Sequence, residues 1–287
     1  MELCVISGKG GTGKTTVSVG LAVALAASKP GGVRLVDCDV EAPNCHLYLP
    51  AEEVREEPVS VYVPRWERDI CTACGACVKA CAFGAMGLFG EHLEIFDEHC
   101  HSCGACVYVC LEKALTPGQR PIGVMRRATA RGVALHWGVL DVGEPRAVPI
   151  IEALRGAQGG EEAVILDGPP GTSCSMAAAA RRADVALVVT EPTAFGLHDL
   201  SLACAVLKIL GVPAGVVINK AQGGRGAIHT FCEQKRIPVL LEIPLARDLA
   251  VSGADAVPLP VARPEYGAIL QTLWADCTAL AARKEPA

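Results

Sequence analysis

The stretch Gly8-Lys9-Gly10-Gly11-Thr12-Gly13-Lys14-Thr15-Thr16 constrains this chain more than any other. It fits G-x4-G-K-T, follows the short apolar run 3–7 and leads into the Ala/Leu-rich stretch 14–27. Such a loop wraps phosphate with its own N–H groups, uses backbone angles that a Cβ would block, and aims a helix dipole at the anion. It therefore demands a strand, a tight loop and a helix, in that order. Further β-branched runs at 33–37, 163–167, 185–190, 214–219 and 239–243 alternate with helical stretches at 175–182, 199–210 and 226–235. That alternation predicts an α/β fold, a mostly parallel sheet covered by helices.

The rhythm fails between about residues 58 and 125, where eight of the fifteen cysteines fall. They form an internal repeat: Cys71-Thr-Ala-Cys74-Gly-Ala-Cys77-Val-Lys-Ala-Cys81 and Cys100-His-Ser-Cys103-Gly-Ala-Cys106-Val-Tyr-Val-Cys110. Both read C-x2-C-x2-C-x3-C, which resembles the bacterial ferredoxin run for two [4Fe–4S] clusters. On that pattern Cys71, Cys74, Cys77 and Cys110 hold one cluster, and Cys100, Cys103, Cys106 and Cys81 hold the other. The run departs from the pattern in having Ala82 and Leu111, not Pro, after each fourth cysteine. A pair of zinc knuckles is the alternative, but it needs only two C-x2-C pairs per metal. The expected organisation is a P-loop ATPase domain at 1–57 and 126–287, split by an inserted ferredoxin-like α+β domain at 58–125, with junctions at 52–58 and 117–127.

Length and charge narrow the function classes. At 287 residues two domains are expected, and 51% hydrophobic with 20% charged residues provides a sizeable core. A net charge of −5 lacks the basic footprint of a nucleic-acid binder, and 4% aromatics gives no stacking platform. No apolar stretch reaches the ~20 residues of a membrane span. Residues 1–6 lack a basic leader. A cytoplasmic protein is expected, in which cysteines are metal ligands or buried apolar residues and not disulfides.

With its extra lysine, Lys9, the phosphate loop resembles the deviant Walker A of the MinD/ParA/Mrp/nitrogenase-iron-protein superfamily. The match continues through Asp37-Cys38-Asp39, the run 164–172 containing Asp167-Gly168-Pro169-Pro170-Gly171-Thr172, Val217-Ile218-Asn219-Lys220, and the segments 137–145 and 190–200. With the cysteine repeat, the whole resembles MinD-superfamily ATPases that contain an inserted ferredoxin domain. The resemblance implies ATP or ADP bound with Mg²⁺ along Gly8, Gly10, Gly11, Thr12, Gly13, Lys14, Thr15 and Thr16. Lys14 would contact the β- and γ-phosphates, Thr15 would bind Mg²⁺, and Asp167 would hold it through water. Asp39 would position the attacking water, Gly168 would sense the γ-phosphate, and Asn219 would read the adenine amino group. Lys9 would reach the partner's nucleotide across a homodimer.

The implied activity is ATP hydrolysis coupled to electron transfer through the clusters, with a protein electron donor or acceptor, or a metallocluster client, as partner. An iron–sulfur assembly or carrier scaffold is the alternative. Cys38 and Cys45, beside the first switch, are expected to be small buried cysteines. His99 and His101 are expected to be solvated loop residues. Cys174 is the one cysteine placed for a cluster shared between subunits.

Overall fold

The computed structural model describes residues 1–157, 159–224 and 226–283; the last residues expected in the ATPase segment, 284–287, lie outside them. In chain order the first half contains β1 (Glu2–Ser7), α1 (Lys14–Ser28), β2 (Val33–Asp37), α2 (Cys45–Tyr48), β3 (Arg55–Trp66), α3 (Ala76–Ala80), β4 (Met86–Phe89), β5 (His92–Ile95), α4 (Ala105–Tyr108), β6 (Leu115–Ala130) and β7 (Val133–Leu140). The second half contains α5 (Val148–Gly156), β8 (Ala163–Pro170), α6 (Cys174–Ala180), β9 (Val185–Thr190), α7 (Ala194–Leu210), β10 (Ala214–Ala221), α8 (Ala227–Lys235), β11 (Val239–Pro244), α9 (Arg247–Ala254), α10 (Leu259–Ala262) and α11 (Tyr266–Ala281).

The runs at 33–37 and 185–190 coincide with β2 and β9. These strands are covered on both faces, so β9 is apolar up to its closing Thr190 and β2 is apolar but for Arg34 and the closing Asp37. One helix begins earlier than the 199–210 stretch suggests. The Thr193 hydroxyl accepts from the Gly196 N–H at 2.9 Å and caps α7 five residues upstream of Asp199. Another, expected over 175–182, ends at Ala180, because Arg182 turns left-handed at φ +69°.

The sheet order is β11-β10-β9-β1-β8-β2-β7-β6-β3. From β11 through β7 all neighbours are parallel; β6 and β3 extend the sheet antiparallel. Two large apolar cores fill its two faces. With β1 near the centre, β9, β10 and β11 following in order on one side and β8 inserted between β1 and β2 on the other, the loops after β1, β2, β8 and β10 meet at the carboxyl edge, where such sheets bind ligands.

The second half of β6, from Gly123 to Ala130, pairs with β7, while its first half pairs only with β3 and runs out of the sheet as a two-stranded ribbon. Residues 67–114 sit at the ribbon's end with a core of Met86, Leu93, Cys106 and Leu115. The expected junctions at 52–58 and 117–127 fall largely inside these strands. Passage between the two parts is thus by continuous backbone pairing, which leaves no trace in composition. No described helix is long and apolar enough to cross a membrane.

Candidate functional site

The phosphate loop lies between β1 and α1, with Gly13 at φ +90° preceding the first turn. An added Cβ at Gly13 would lie 2.2 Å from Asn219 Nδ2, and that amide donates to the Thr12 carbonyl at 2.7 Å. The structure thus brings Asn219, at the end of β10, onto the loop. A cavity of about 510 Å³ opens here, with Gly10 to Thr16, Asp39 and Asn219 in its wall. Gly8 packs on Asp199 of α7 instead, and Gly168 is buried against Val5 and Ile6.

Beneath the loop is a buried charge cluster. Asp167 receives Lys14 Nζ at 2.8 Å, Thr15 Oγ1 at 2.8 Å and Ser18 Oγ at 2.7 Å. Asp37 stands opposite Asp167 in the β2–β8 register and accepts the N–H groups of Asp39, Asn44 and Cys45 at 3.1, 2.8 and 2.9 Å. Both carboxylates are fully buried. Burial, with the nearby charge of Asp167, pushes Asp37 up to about 6. Burial pulls the Lys14 ammonium down, but Asp167 and Asp37 outweigh it and the net shift is upward. Burial also raises Asp39, which stands half-buried at the cavity wall. Ligand atoms of Asp37, Cys45 and Asp167 lie within 4.8 Å of one another, so two carboxylates share one ammonium in a site that favours a further cation.

Asp37, Ser18 and Cys45 escaped the sequence reading as site residues. An Asp closing each of two neighbouring parallel strands was the available signal for Asp37. Cys38 is buried among apolar residues, as expected, whereas the Cys45 thiol lies 3.5 Å from Asp167.

Lys9 points away from the cavity and pairs with Glu191 at 3.2 Å; Lys220 pairs with the same carboxylate at 2.5 Å and also donates to the Gly11 carbonyl at 3.1 Å. Burial works against ionisation of Glu191, but hydrogen bonds from Lys220 and Lys9 prevail and hold its carboxyl below the usual range.

The eight repeat cysteines gather in two foursomes. Cys71, Cys74, Cys77 and Cys110 line one cavity of about 150 Å³; Cys81, Cys100, Cys103 and Cys106 line a second of about 20 Å³. Each fourth thiol joins the triplet of the other repeat. The two repeats also share their local backbone. Ala73 and Ser102 are left-handed at φ +52° and +57°, and Gly75 and Gly104 follow at φ +71° and +75° to open α3 and α4. A left-handed Ala or Ser costs roughly 1 kcal/mol, and such turns point successive N–H groups inward. The Ser102 N–H lies 3.5 Å from Cys100 Sγ, and the Ala85 N–H lies 3.3 Å from Cys81 Sγ. His101 stacks on Phe83 at 3.8 Å beside the second foursome, while His99 is exposed. Cys174 is exposed at the start of α6, distant in sequence from either foursome.

Comparison with known proteins agrees with the phosphate-loop geometry. An uncharacterised protein of Methanocaldococcus jannaschii is 34% identical over 247 residues, 85% of this chain and 86% of that one. The chloroplastic Fe-S cluster assembly factor HCF101 of Oryza sativa subsp. japonica is 25% identical over 280 residues, 92% of this chain but 42% of that one. Among solved structures, the septum site-determining protein MinD of Pyrococcus horikoshii, complexed with Mg-ADP, shares the fold with a TM-score of 0.59. It is 22% identical, over 100% of this chain and 99% of that one. Residues 3–259 match the profile of the CobQ/CobB/MinD/ParA nucleotide binding domain, CbiA. The chain therefore belongs to this family, as a P-loop nucleotide-binding ATPase of the MinD/ParA type.

Proposed function

We propose that the chain is a dimeric ATPase whose nucleotide-driven movements act on electron transfer through two [4Fe–4S] clusters, one on Cys71, Cys74, Cys77 and Cys110 and the other on Cys81, Cys100, Cys103 and Cys106. The cluster half is carried by one observation: each cavity is lined by three thiols of one repeat and the last thiol of the other. Sulfur spacing supports the same reading. In neither foursome do three sulfurs lie within 4.8 Å of one another. A single zinc ion, with Zn–S near 2.3 Å, holds its thiolates about 3.8 Å apart. In a cube each thiolate has its own iron, and the inward N–H groups of the left-handed turns suit the sulfides. When bound, such clusters would supply two one-electron carriers.

For hydrolysis, Lys14 leaves Asp167 for the β- and γ-phosphates. Thr15 directly, and Asp167 through water with Asp37 behind it, would hold the Mg²⁺ that accompanies the nucleotide, and the ion would offset the phosphate charge. Gly168 follows Asp167 and senses the γ-phosphate through its backbone. Asp39 orients the attacking water, Asn219 holds the adenine amino group, and Lys9, released from Glu191, reaches the partner subunit's phosphates. Anaerobic ATPase assays on iron-replete protein test this; no hydrolysis, with or without candidate electron acceptors, overturns it.

A second reading, a cluster assembly or carrier ATPase, is favoured by the similarity to the rice assembly factor. It predicts transfer of iron and sulfide to an apo-protein during turnover. The electron-transfer reading predicts that all the iron stays.

A further inference from the structure

The connection between β7 and α5 touches neither the phosphate cavity nor a thiol, yet it holds a buried charge network. The Glu144 side chain is 4% exposed and pairs with Arg120 at 2.5 Å and with Arg146 at 2.7 Å. The Nη1 of Arg146 donates to the carbonyl oxygen of Cys100, the first cysteine of the second repeat. Two guanidiniums around one carboxylate leave net positive charge against that loop.

The opposite end of the same connection is fastened beside the nucleotide site. The strands β2 and β7 are parallel neighbours, with Asp37 opposite Trp137. One residue past Asp39, the Val40 carbonyl accepts the Leu140 N–H at 2.9 Å, and the Asp141 N–H donates to Ile122 at 3.0 Å. The Val40 side chain presses so closely on β7 that a Cβ at Gly138 would lie 2.7 Å from it. Val40 therefore cannot shift without moving Leu140.

We propose that Arg146 is the positioning residue that carries the nucleotide state of the Asp39 loop to the Cys81, Cys100, Cys103 and Cys106 centre, along Val40, Leu140, Glu144 and the Cys100 carbonyl. The inference rests on the cluster-bearing ATPase reading above. A guanidinium held against a ligand's carbonyl favours the more negative, reduced state of that centre, and its withdrawal disfavours it. Among the described residues, no hydrogen bond of 141–147 reaches the other foursome. Nucleotide should therefore move one of the two potentials and leave the other. A bistable element biased from both ends, and not mere proximity, is what such coupling requires.

The test is an anaerobic EPR redox titration of the reconstituted full chain without nucleotide, with MgADP and with a non-hydrolysable MgATP analogue. Cys74→Ser, which perturbs the first centre, tells which signal is which. In the wild type the second centre alone is expected to shift. In Arg146→Ala both signals and the nucleotide affinity are expected to remain while the shift is lost. Arg146→Lys keeps a charge but not the fork that binds Glu144 and Cys100 together, and should show a reduced shift; it serves as the test if the alanine variant does not hold its clusters. A shift of wild-type size in both variants, a shift on the first centre, or two wild-type potentials indifferent to nucleotide overturns the inference while leaving the clusters and the ATPase standing. A wild type with no cubane signal removes the functional reading and this inference with it.

Discussion

The nucleotide edge and the cysteine segment solve opposite problems. At the edge, Asp37, Asp167 and Lys14 are charges buried in a sheet that has a large apolar core on each face, so the scaffold is rigid before any ligand arrives. In and beside the cysteine segment the buried apolar residues are only Ala85, Met86, Leu93, Cys106, Ala114 and Leu115, and its backbone spends energy on left-handed turns at Ala73 and Ser102. A core that small does not stabilise about fifty residues unaided. The edge is a preformed site, whereas the segment holds two groups of four thiols around a small core.

The sharpest division between the two comes from Lys14→Ala. Hydrolysis should fall about 10³-fold or more, while iron content per chain stays at the wild-type value, as read by an ATPase assay and an iron determination on one preparation. Lys9→Ala should cost a similar factor, and mixing it with Lys14→Ala should restore one site in each mixed dimer, where the Lys14→Ala subunit lends its Lys9 to the intact Lys14 of the other. Failure to complement places Lys9 in its own subunit's chemistry. Next in size, Cys110→Ser should halve the iron, from about eight to about four atoms per chain, although Cys110 lies beyond the β4–β5 hairpin from Cys71, Cys74 and Cys77. Loss of all iron, or of none, breaks the pairing of the foursomes.

Iron removal by an anaerobic chelator should raise amide exchange across 67–114 and leave the protection of β1, β8 and β9 unchanged. The smallest effect belongs to the sheet. His136 is buried beside Arg34 and Arg127, and burial followed by those charges lowers it to about 4. The folded chain keeps it neutral where the unfolded chain, near 6.5, takes up a proton. Its stabilisation is therefore present above pH 6.5 and is lost as pH falls towards about 4. The melting temperature of His136→Phe should depend less steeply on pH over that window.

Much of the edge was legible because the phosphate loop, the β-branched runs and the acidic strand ends are local signals. Lys14 and Thr15 meet on the carboxylate of Asp167. The cysteine repeat was legible as spacing, and the crossing of Cys81 and Cys110 came with the ferredoxin resemblance; the linings of the two cavities group the thiols in the same way. Other features left no local mark. Glu191 is drawn to Lys9 and Lys220 by the meeting of two separate loops with the end of β10. Similarly, Arg146 finds Cys100 only because β3 and β6 fold the segment back beside the β7–α5 connection.

Those two strands also set the mechanics. From Ser60 to Trp66 the ribbon leaves the sheet with no glycine hinge in β3, spanning roughly 20 Å at about 3.3 Å per residue. Paired strands resist bending in their own plane, so a tilt at the root is delivered to the tip as displacement. A rotation of about 5° there moves the far end by roughly 2 Å over that length. The ribbon is a lever whose load is the cysteine segment, whose root is clamped against β7 and whose far end is tethered by the Arg146 bond to Cys100.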